Sequence, residues 1–248
     1  MKRLRYFPLL LFLFFLPGCN MSEMEAQSDP VADDSLLAVI KMRIEEKKEL
    51  ERMREELLRS PVGYSIKKYK PIIKKYAKRY GFDWRLIAAQ IVQESGFREK
   101  ARSRVGARGL MQIMPFTARE ISRELDIEYI MRNPRENITA GIYHLNKQMG
   151  YFRDARLEDR TQLALASYNA GAGRVFDAQE ISAYFRQPTN QWPTVRPYLS
   201  LLKRSDWELH LQVWPDGKPR HGYFYGYNET INYVNHIWER YQLYKKIL

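Results

Sequence analysis

Asp83-Trp84-Arg85-Leu86-Ile87-Ala88-Ala89-Gln90-Ile91-Val92-Gln93-Glu94-Ser95-Gly96 reads as a whole helix with both ends marked. Asp83 is placed to cap the first turn and Gly96 to stop the last. Ile87, Ile91 and Glu94 stand at i, i+4 and i+7, so they share one face, and that face is apolar. A carboxylate there loses hydration, and in the last turn it also meets the negative end of the helix dipole. Both effects favour the protonated form, the property required of a general acid near neutral pH. The same position also admits a glutamate whose side chain turns to solvent at the helix end.

Outward from this stretch the pattern stays helical. Pro71 suits a first turn, Ile72, Ile73, Tyr76 and Tyr80 form an apolar face, and Gly81 closes that helix. The same stretch carries Lys67, Lys68, Lys70, Lys74, Lys75, Lys78 and Arg79, a basic face suited to solvent or to an anionic surface. Asn133, Pro134 and Glu136 open a further helix with capping-box spacing, and Gly150 ends it. Another helix covers 159–169 and stops at Gly171. The last spans 229–246, with Ile231, Val234, Trp238 and Tyr241 on one face. Only a short irregular piece near 207–227 has any strand character. The reading is an all-α domain over residues 64–248, without internal repeats.

A chain of 248 residues with 45% hydrophobic content accommodates one domain and a tail. Its formal net charge of +12 attracts anionic polymers without choosing among nucleic acid, lipid and cell wall. The single cysteine, Cys19, excludes a disulfide within the chain. His144, His210, His221 and His236 are scattered and lack metal-ligand spacing, so neither metal nor cofactor is expected. Lys2, Arg3 and Arg5 precede a short apolar run, Leu9 to Leu16, too short to span a bilayer and of the length of a signal-peptide core. Leu16-Pro17-Gly18-Cys19 resembles a bacterial lipobox. That resemblance implies a signal peptide over 1–18, acylation of Cys19 and a membrane anchor. With Asn20 next, lipoprotein sorting points to the outer membrane, facing the periplasm. Such an address removes nucleic acid from the expected partners. Residues 19–34 read as a flexible tether, and 35–63 as a charged helical spacer ended by Ser60-Pro61 and Gly63.

Four blocks decide the family. They are Glu94-Ser95-Gly96-Phe97 with Ser103, Gly106-Ala107-Arg108-Gly109-Leu110-Met111-Gln112-Ile113-Met114-Pro115, Ala166-Ser167-Tyr168-Asn169-Ala170-Gly171, and Glu229-Thr230-Ile231-Asn232-Tyr233-Val234. In this order and spacing they resemble the catalytic domain of the soluble lytic transglycosylase family, with a lysozyme-like fold, over residues 66–245. The resemblance implies a peptidoglycan lyase. Glu94 would protonate the oxygen between N-acetylmuramic acid and N-acetylglucosamine, then act as base on the muramic 6-hydroxyl, leaving a 1,6-anhydro end. It also implies substrate-binding roles for Ser103, Met111, Gln112, Met114, Tyr168, Asn169, Glu229 and Tyr233, with Tyr168 pointing at the carboxyl or sugar and Asn169 ordering the loop. Both methionines would line the groove. Glu229, at a helix N-terminus, is expected to stay charged and to orient substrate.

The segment between Asn169 and Glu229 is longer than in the soluble enzymes. Trp192-Pro193, Pro197 to Leu202 and Tyr223 to Tyr227 resemble the F-type membrane-bound lytic murein transglycosylases. Their amino-terminal solute-binding domain is expected to be missing here. The aromatic residues of 174–228 are read mostly as packing, with extension of the groove as the other reading. Two other functions fit the same blocks: a lysozyme-like hydrolase that activates water, with Glu229 as base, and a wall-binding scaffold with a silent site. The intact Glu94 argues against the scaffold. The sequons at Asn137 and Asn228 carry little meaning for a bacterial lipoprotein.

Overall fold

The computed structural model describes residues 30–248, with side chains from residue 34 onward. The signal-like run, Cys19 and most of the expected tether lie outside the described residues. The chain divides into two compact units, residues 1–45 and 46–248. Within the first, the described part is helical, and Leu36, Leu37, Val39, Ile40, Met42 and Ile44 are exposed. No helix among the described residues is long and apolar enough to cross a membrane.

The second unit begins inside helix α1 (Pro30–Arg59). Leu50 and Leu57 pack against the core, so the expected spacer over 35–63 is in part a piece of the folded unit. Ser60 interrupts the chain and caps α2 (Pro61–Arg79), accepting from the Gly63 N–H at 3.0 Å. Helix α2 therefore starts at Pro61, and Pro71 lies within it on the exposed side. The missing N–H of Pro71 leaves free the carbonyl one turn back, that of Lys67, on an exposed stretch of the helix. Gly63 belongs to α2 rather than ending α1. A Cβ there would lie 1.9 Å from the Leu57 carbonyl oxygen, so only glycine allows the two helices to meet.

Helix α3 (Trp84–Ser95) forms as its sequence indicates, with Asp83 accepting from the Arg85 N–H and Gly96 left-handed at φ 58°. Leu86, Ile87, Ala88, Ala89, Gln90 and Ile91 are all buried. It is thus covered almost all round, by α2 on one side and by α10 (Tyr227–Ile247) on the other. Helix α10 in turn packs on α6 (Leu157–Ala170), which packs on α5 (Pro134–Met149). Each fully buried isoleucine contributes about 1.5–3 kcal/mol to this arrangement. The short α4 (Pro115–Leu125) completes the helices before the insert.

The insert holds α7 (Ala172–Tyr184), α8 (Trp192–Val195), two 3-10 turns and α9 (Trp207–Val213). The strand character near 207–227 does not materialise: 207–213 is helical, and no strand partner is present among the described residues. Of the insert's aromatic residues, Trp192 and Trp214 are buried and Phe176, Tyr198, Phe224 and Tyr227 pack against the core, whereas Tyr184, Phe185, Trp207 and Tyr225 are exposed. Asp177, fully buried, accepts from both the backbone N–H and Nδ1 of His221, tying the two ends of the insert together.

Residues 96–114 form a long loop fixed by side chains rather than by a helix. Ser95 donates to the Leu110 carbonyl at 2.9 Å. The buried Asn137 of α5 accepts from the Met111 N–H at 2.8 Å and donates to the carbonyls of Arg108 and Ile130, both at 3.0 Å. Gly109 has φ 82°, and a Cβ there would sit 2.5 Å from the Asn137 amide. Asn137 is thus the internal clamp of the loop. Asn137→Ala is expected to cost about 2–3 kcal/mol, because it strands a buried N–H and two carbonyls. Urea unfolding measures this, and a loss below about 0.5 kcal/mol, the range of neutral surface changes, would contradict the clamp.

Candidate active site

A cleft of about 510 Å³ runs past the C-terminal turn of α3. Helix α3 contributes Gln93 and Glu94, and the long loop Ser103, Val105, Ala107, Gln112 and Met114. The end of α6 brings Tyr168 and Asn169; α10 brings Glu229, Asn232, Tyr233 and His236. The α10 residues fall at i, i+3, i+4 and i+7, one face of the helix.

Glu94 sits where α3 and α10 meet. Its side chain keeps a face to the cleft but is otherwise enclosed, and burial pushes its carboxyl up to about 8. The hydrogen bond from Tyr233 opposes that rise without cancelling it. Tyr233 donates from its hydroxyl to Glu94 Oε1 at 2.5 Å, while the fully buried Gln90 donates through Nε2 to the Tyr233 oxygen at 3.1 Å. This gives the chain a direction: Gln90 to Tyr233 to Glu94. Oε1 is occupied as an acceptor, so the proton of Glu94 belongs on Oε2, free for a ligand in the cleft. Burial and the nearby Glu94 together push the Tyr233 phenol well above its ordinary range, so it remains a donor.

Tyr168 is placed differently from expectation. Its hydroxyl donates to the Met111 carbonyl at 2.8 Å, not to Glu94, although Glu94 is close enough to act on it electrostatically. The ring of His144 meets it edge-on at 4.8 Å. Burial holds the His144 imidazole down to about 4, so a neutral ring backs this wall at neutral pH. Asn169 accepts from Thr230 Oγ1 at 2.7 Å and so latches the end of α6 to the start of α10. Ser103 closes its own loop, accepting from the Ala107 N–H at 2.9 Å. Gln112, at φ 44°, donates through Nε2 to the Gly109 and Ala101 carbonyls at 2.8 and 3.3 Å. Met114 is 39% exposed and lines the cleft. Glu229 is exposed in the first turn of α10.

One residue is moved out of the site. The Met111 side chain is fully buried and presses on Gly141, where a Cβ would lie 2.5 Å from its own Cβ. It is a core residue whose backbone carbonyl anchors Tyr168. The backbone turn at Gly109 and Gln112 aims it inward, while the loop on either side faces the cleft. Sequence reading missed Gln90, Gln93, Asn137, Asn232 and His236. Gln90 lies one turn before Glu94, and Asn232 and His236 continue the face of Glu229, so helical spacing alone would have found them. Asn137, reached only through tertiary folding, had no such signal. None of residues 174–228 lines the cleft.

Residues 71–190 match the transglycosylase SLT domain. Among its relatives, a membrane-bound lytic murein transglycosylase F of Desulfosudis oleivorans is 38% identical over 186 residues, 73% of this chain and 37% of that one. A protein of the same name from Hahella chejuensis is 29% identical over 235 residues, 93% of this chain and 43% of its own length. The chain therefore spans less than half the length of these two relatives. Among solved structures, a lytic transglycosylase Slt from Pseudomonas aeruginosa aligns with TM-score 0.46 at 31% identity, covering 71% of this chain and 24% of that one. The family match ends at residue 190, before α10, so Tyr233 enters the site from outside the matched segment.

The titration of Glu94 is directly measurable. Its carboxyl signal in NMR is expected to move with a midpoint near 8. Tyr233→Phe removes a bond that favours the ionised form, so its midpoint moves higher; a wild-type midpoint near 4.5 would contradict the enclosure of Glu94. Stability follows from linkage. The folded chain holds a proton to about 8 that the unfolded chain releases near 4.5. Folding therefore weakens as pH rises through that window, by up to about 1.4 kcal/mol per unit. Glu94→Gln is expected to be the more stable protein, by a margin that opens above the unfolded value and levels off above the folded one, read by thermal unfolding across pH.

Proposed function

We propose that this chain is a lytic transglycosylase of the bacterial cell wall, cleaving the β-1,4 bond between N-acetylmuramic acid and N-acetylglucosamine without water. The observation that supports the reading is Glu94 at the wall of the cleft, with Oε1 held by Tyr233 and with burial raising its carboxyl to about 8, which favours a proton on Oε2. Oε2 donates its proton to the glycosidic oxygen as the C1–O bond breaks. The substrate's own N-acetyl group supports C1, standing in for the second carboxylate that a hydrolase uses. Glu94, now ionised and stabilised by the Tyr233 hydroxyl, takes the proton of the muramic 6-hydroxyl. O6 then bonds to C1, the 1,6-anhydro end forms, and Glu94 is protonated again for the next turn. Acid and base are the same group, so a pKa near neutrality serves both steps.

Around this centre, Glu229 binds and orients the sugar, and Ser103, Gln112, Met114, Tyr168 and Asn169 shape the groove. Each step is carried by these side chains and the substrate's own groups. The chain acts on peptidoglycan in remodelling or turnover, anchored through acylated Cys19 at the outer membrane and facing the periplasm.

The test is a digest of purified peptidoglycan by the full chain in detergent, beside Glu94→Gln, with products read by mass spectrometry. Anhydromuramyl ends are expected from the wild type, reduced by at least about 100-fold in the variant. Reducing muramic ends would instead make it a hydrolase, with Glu229 as the residue to change next. Wall binding without products from either protein would make it a scaffold.

A further inference from the structure

The first half of α1 carries an apolar stripe that stands exposed. Leu36, Leu37, Ile40 and Ile44 fall at i, i+1, i+4 and i+8, within about 100° of the helix circumference. Each is between 44% and 57% exposed, so the stripe is open along its whole length. Val39 and Met42, also exposed, lie off it. Charges are ordered around the stripe. By helical spacing Arg43 borders it on one side and Lys41 on the other, while Asp34 and Glu45 lie farther round, beyond Lys41. Lys47 and Lys48 take the next turn, where the stripe would continue, and Glu46 pairs with Lys246 of α10 at 3.6 Å. Apolar side chains left side by side in water form a surface that gains by being covered. Lysine and arginine stems run along such a surface and carry their charge outward, the disposition of a helix lying in a lipid–water boundary with cations at the level of the headgroups. A second copy of the chain suits the stripe less well. A two-helix seam needs apolar positions sustained over at least about three heptads. This stripe gives way to lysine after Ile44, and the next leucine, Leu50, is taken up by the core of the folded unit.

We propose that this stretch of α1 is a lipid-surface helix, which lays Leu36, Leu37, Ile40 and Ile44 into a bilayer containing anionic phospholipid. Lys41, Arg43, Lys47 and Lys48 then meet headgroup phosphates, and Asp34 and Glu45 stay on the water side. The helix lies along the surface; none of the described helices is long and apolar enough to cross it. This contact is separate from the acyl anchor proposed at Cys19 and needs no covalent lipid. With the anchor it makes two membrane signals, a lipid chain and a basic apolar helix, and two such signals are what stable attachment takes.

Spin labels test this without turnover, so the result is separate from the reaction assigned to Glu94. Full-chain Cys19→Ser receives one further change at a time: Leu36→Cys, Ile40→Cys or Ile44→Cys on the stripe, Ala38→Cys or Met42→Cys on the opposite side. Each is tagged with a nitroxide and mixed with vesicles of phosphatidylglycerol and phosphatidylethanolamine. The stripe labels are expected to become shielded from a water-soluble nickel chelate while still colliding with dissolved oxygen, which concentrates in lipid. Labels at 38 and 42 stay open to nickel. Adding Lys41→Gln with Arg43→Gln raises the lipid concentration needed for half of that shielding by roughly 30-fold. Nickel access to the stripe labels that vesicles leave unchanged would make the segment a solvated spacer and overturn the proposal. Stripe labels shielded from both reagents, with spin–spin broadening, would put a second copy of the chain there and overturn it equally. Shielding that is as strong on phosphatidylcholine alone, or that survives the loss of both cations, would remove the anionic lipid and overturn it as stated.

Discussion

Everything at the centre of this protein depends on holding a carboxyl where ionisation is disfavoured. Glu94 is enclosed between α3 and α10, and the hydroxyl of Tyr233 fixes one of its oxygens. Exposing Glu94 to water would return it to an ordinary carboxylate, and releasing Tyr233 would leave its proton free to sit on either oxygen. The rest of the domain can be understood as what these two conditions need. Helix α3 is buried on nearly every side, which fixes the depth of Glu94; α10 packs along it, which brings in Tyr233; Gln90 sets the direction of the hydrogen bonds between them. This arrangement carries a cost, since a buried carboxyl weakens the fold over the pH range where it works, a trade familiar in catalytic sites.

The loop from 96 to 114 is the second half of the construction. It makes one wall of the groove, yet it holds no regular structure and depends on buried side chains from elsewhere. Asn137 clamps it from α5, Ser95 from α3, and Tyr168 from α6 through the Met111 carbonyl. Three segments of sequence thus converge on this one long loop. That convergence keeps Ser103 and Gln112 in fixed places without a helix or sheet beneath them.

What was legible in the sequence was what local spacing determines. The ends of α3 followed from Asp83 and Gly96, and the placement of Glu94 on a buried face followed from its spacing with Ile87 and Ile91. Relations between distant segments were less visible. Tyr233 follows Glu229 by one helical turn and so shares its face, but its bond to Glu94 spans 139 residues and has no local mark. Tyr168 and Met111 were both assigned to the groove because they stand in family blocks; the fold instead binds the hydroxyl of one to the carbonyl of the other and buries the Met111 side chain. Pro71 was read as a helix start because proline favours that position, yet Ser60-Pro61 supplies a capped start earlier, and an exposed proline is tolerated inside. The irregular piece near 207–227 has some strand character in sequence, but it meets no strand among the described residues with which to pair.

The central claim is that the group attacking C1 comes from the sugar and not from solvent. Digestion of peptidoglycan in water enriched in oxygen-18 tests this most directly, because a hydrolase must place solvent oxygen on the new muramic end. The account predicts new ends that carry no heavy oxygen and are lighter by one water than a reducing end. Oxygen-18 at the muramic C1 from the first turnover would contradict it and make Glu94 the acid of a hydrolase.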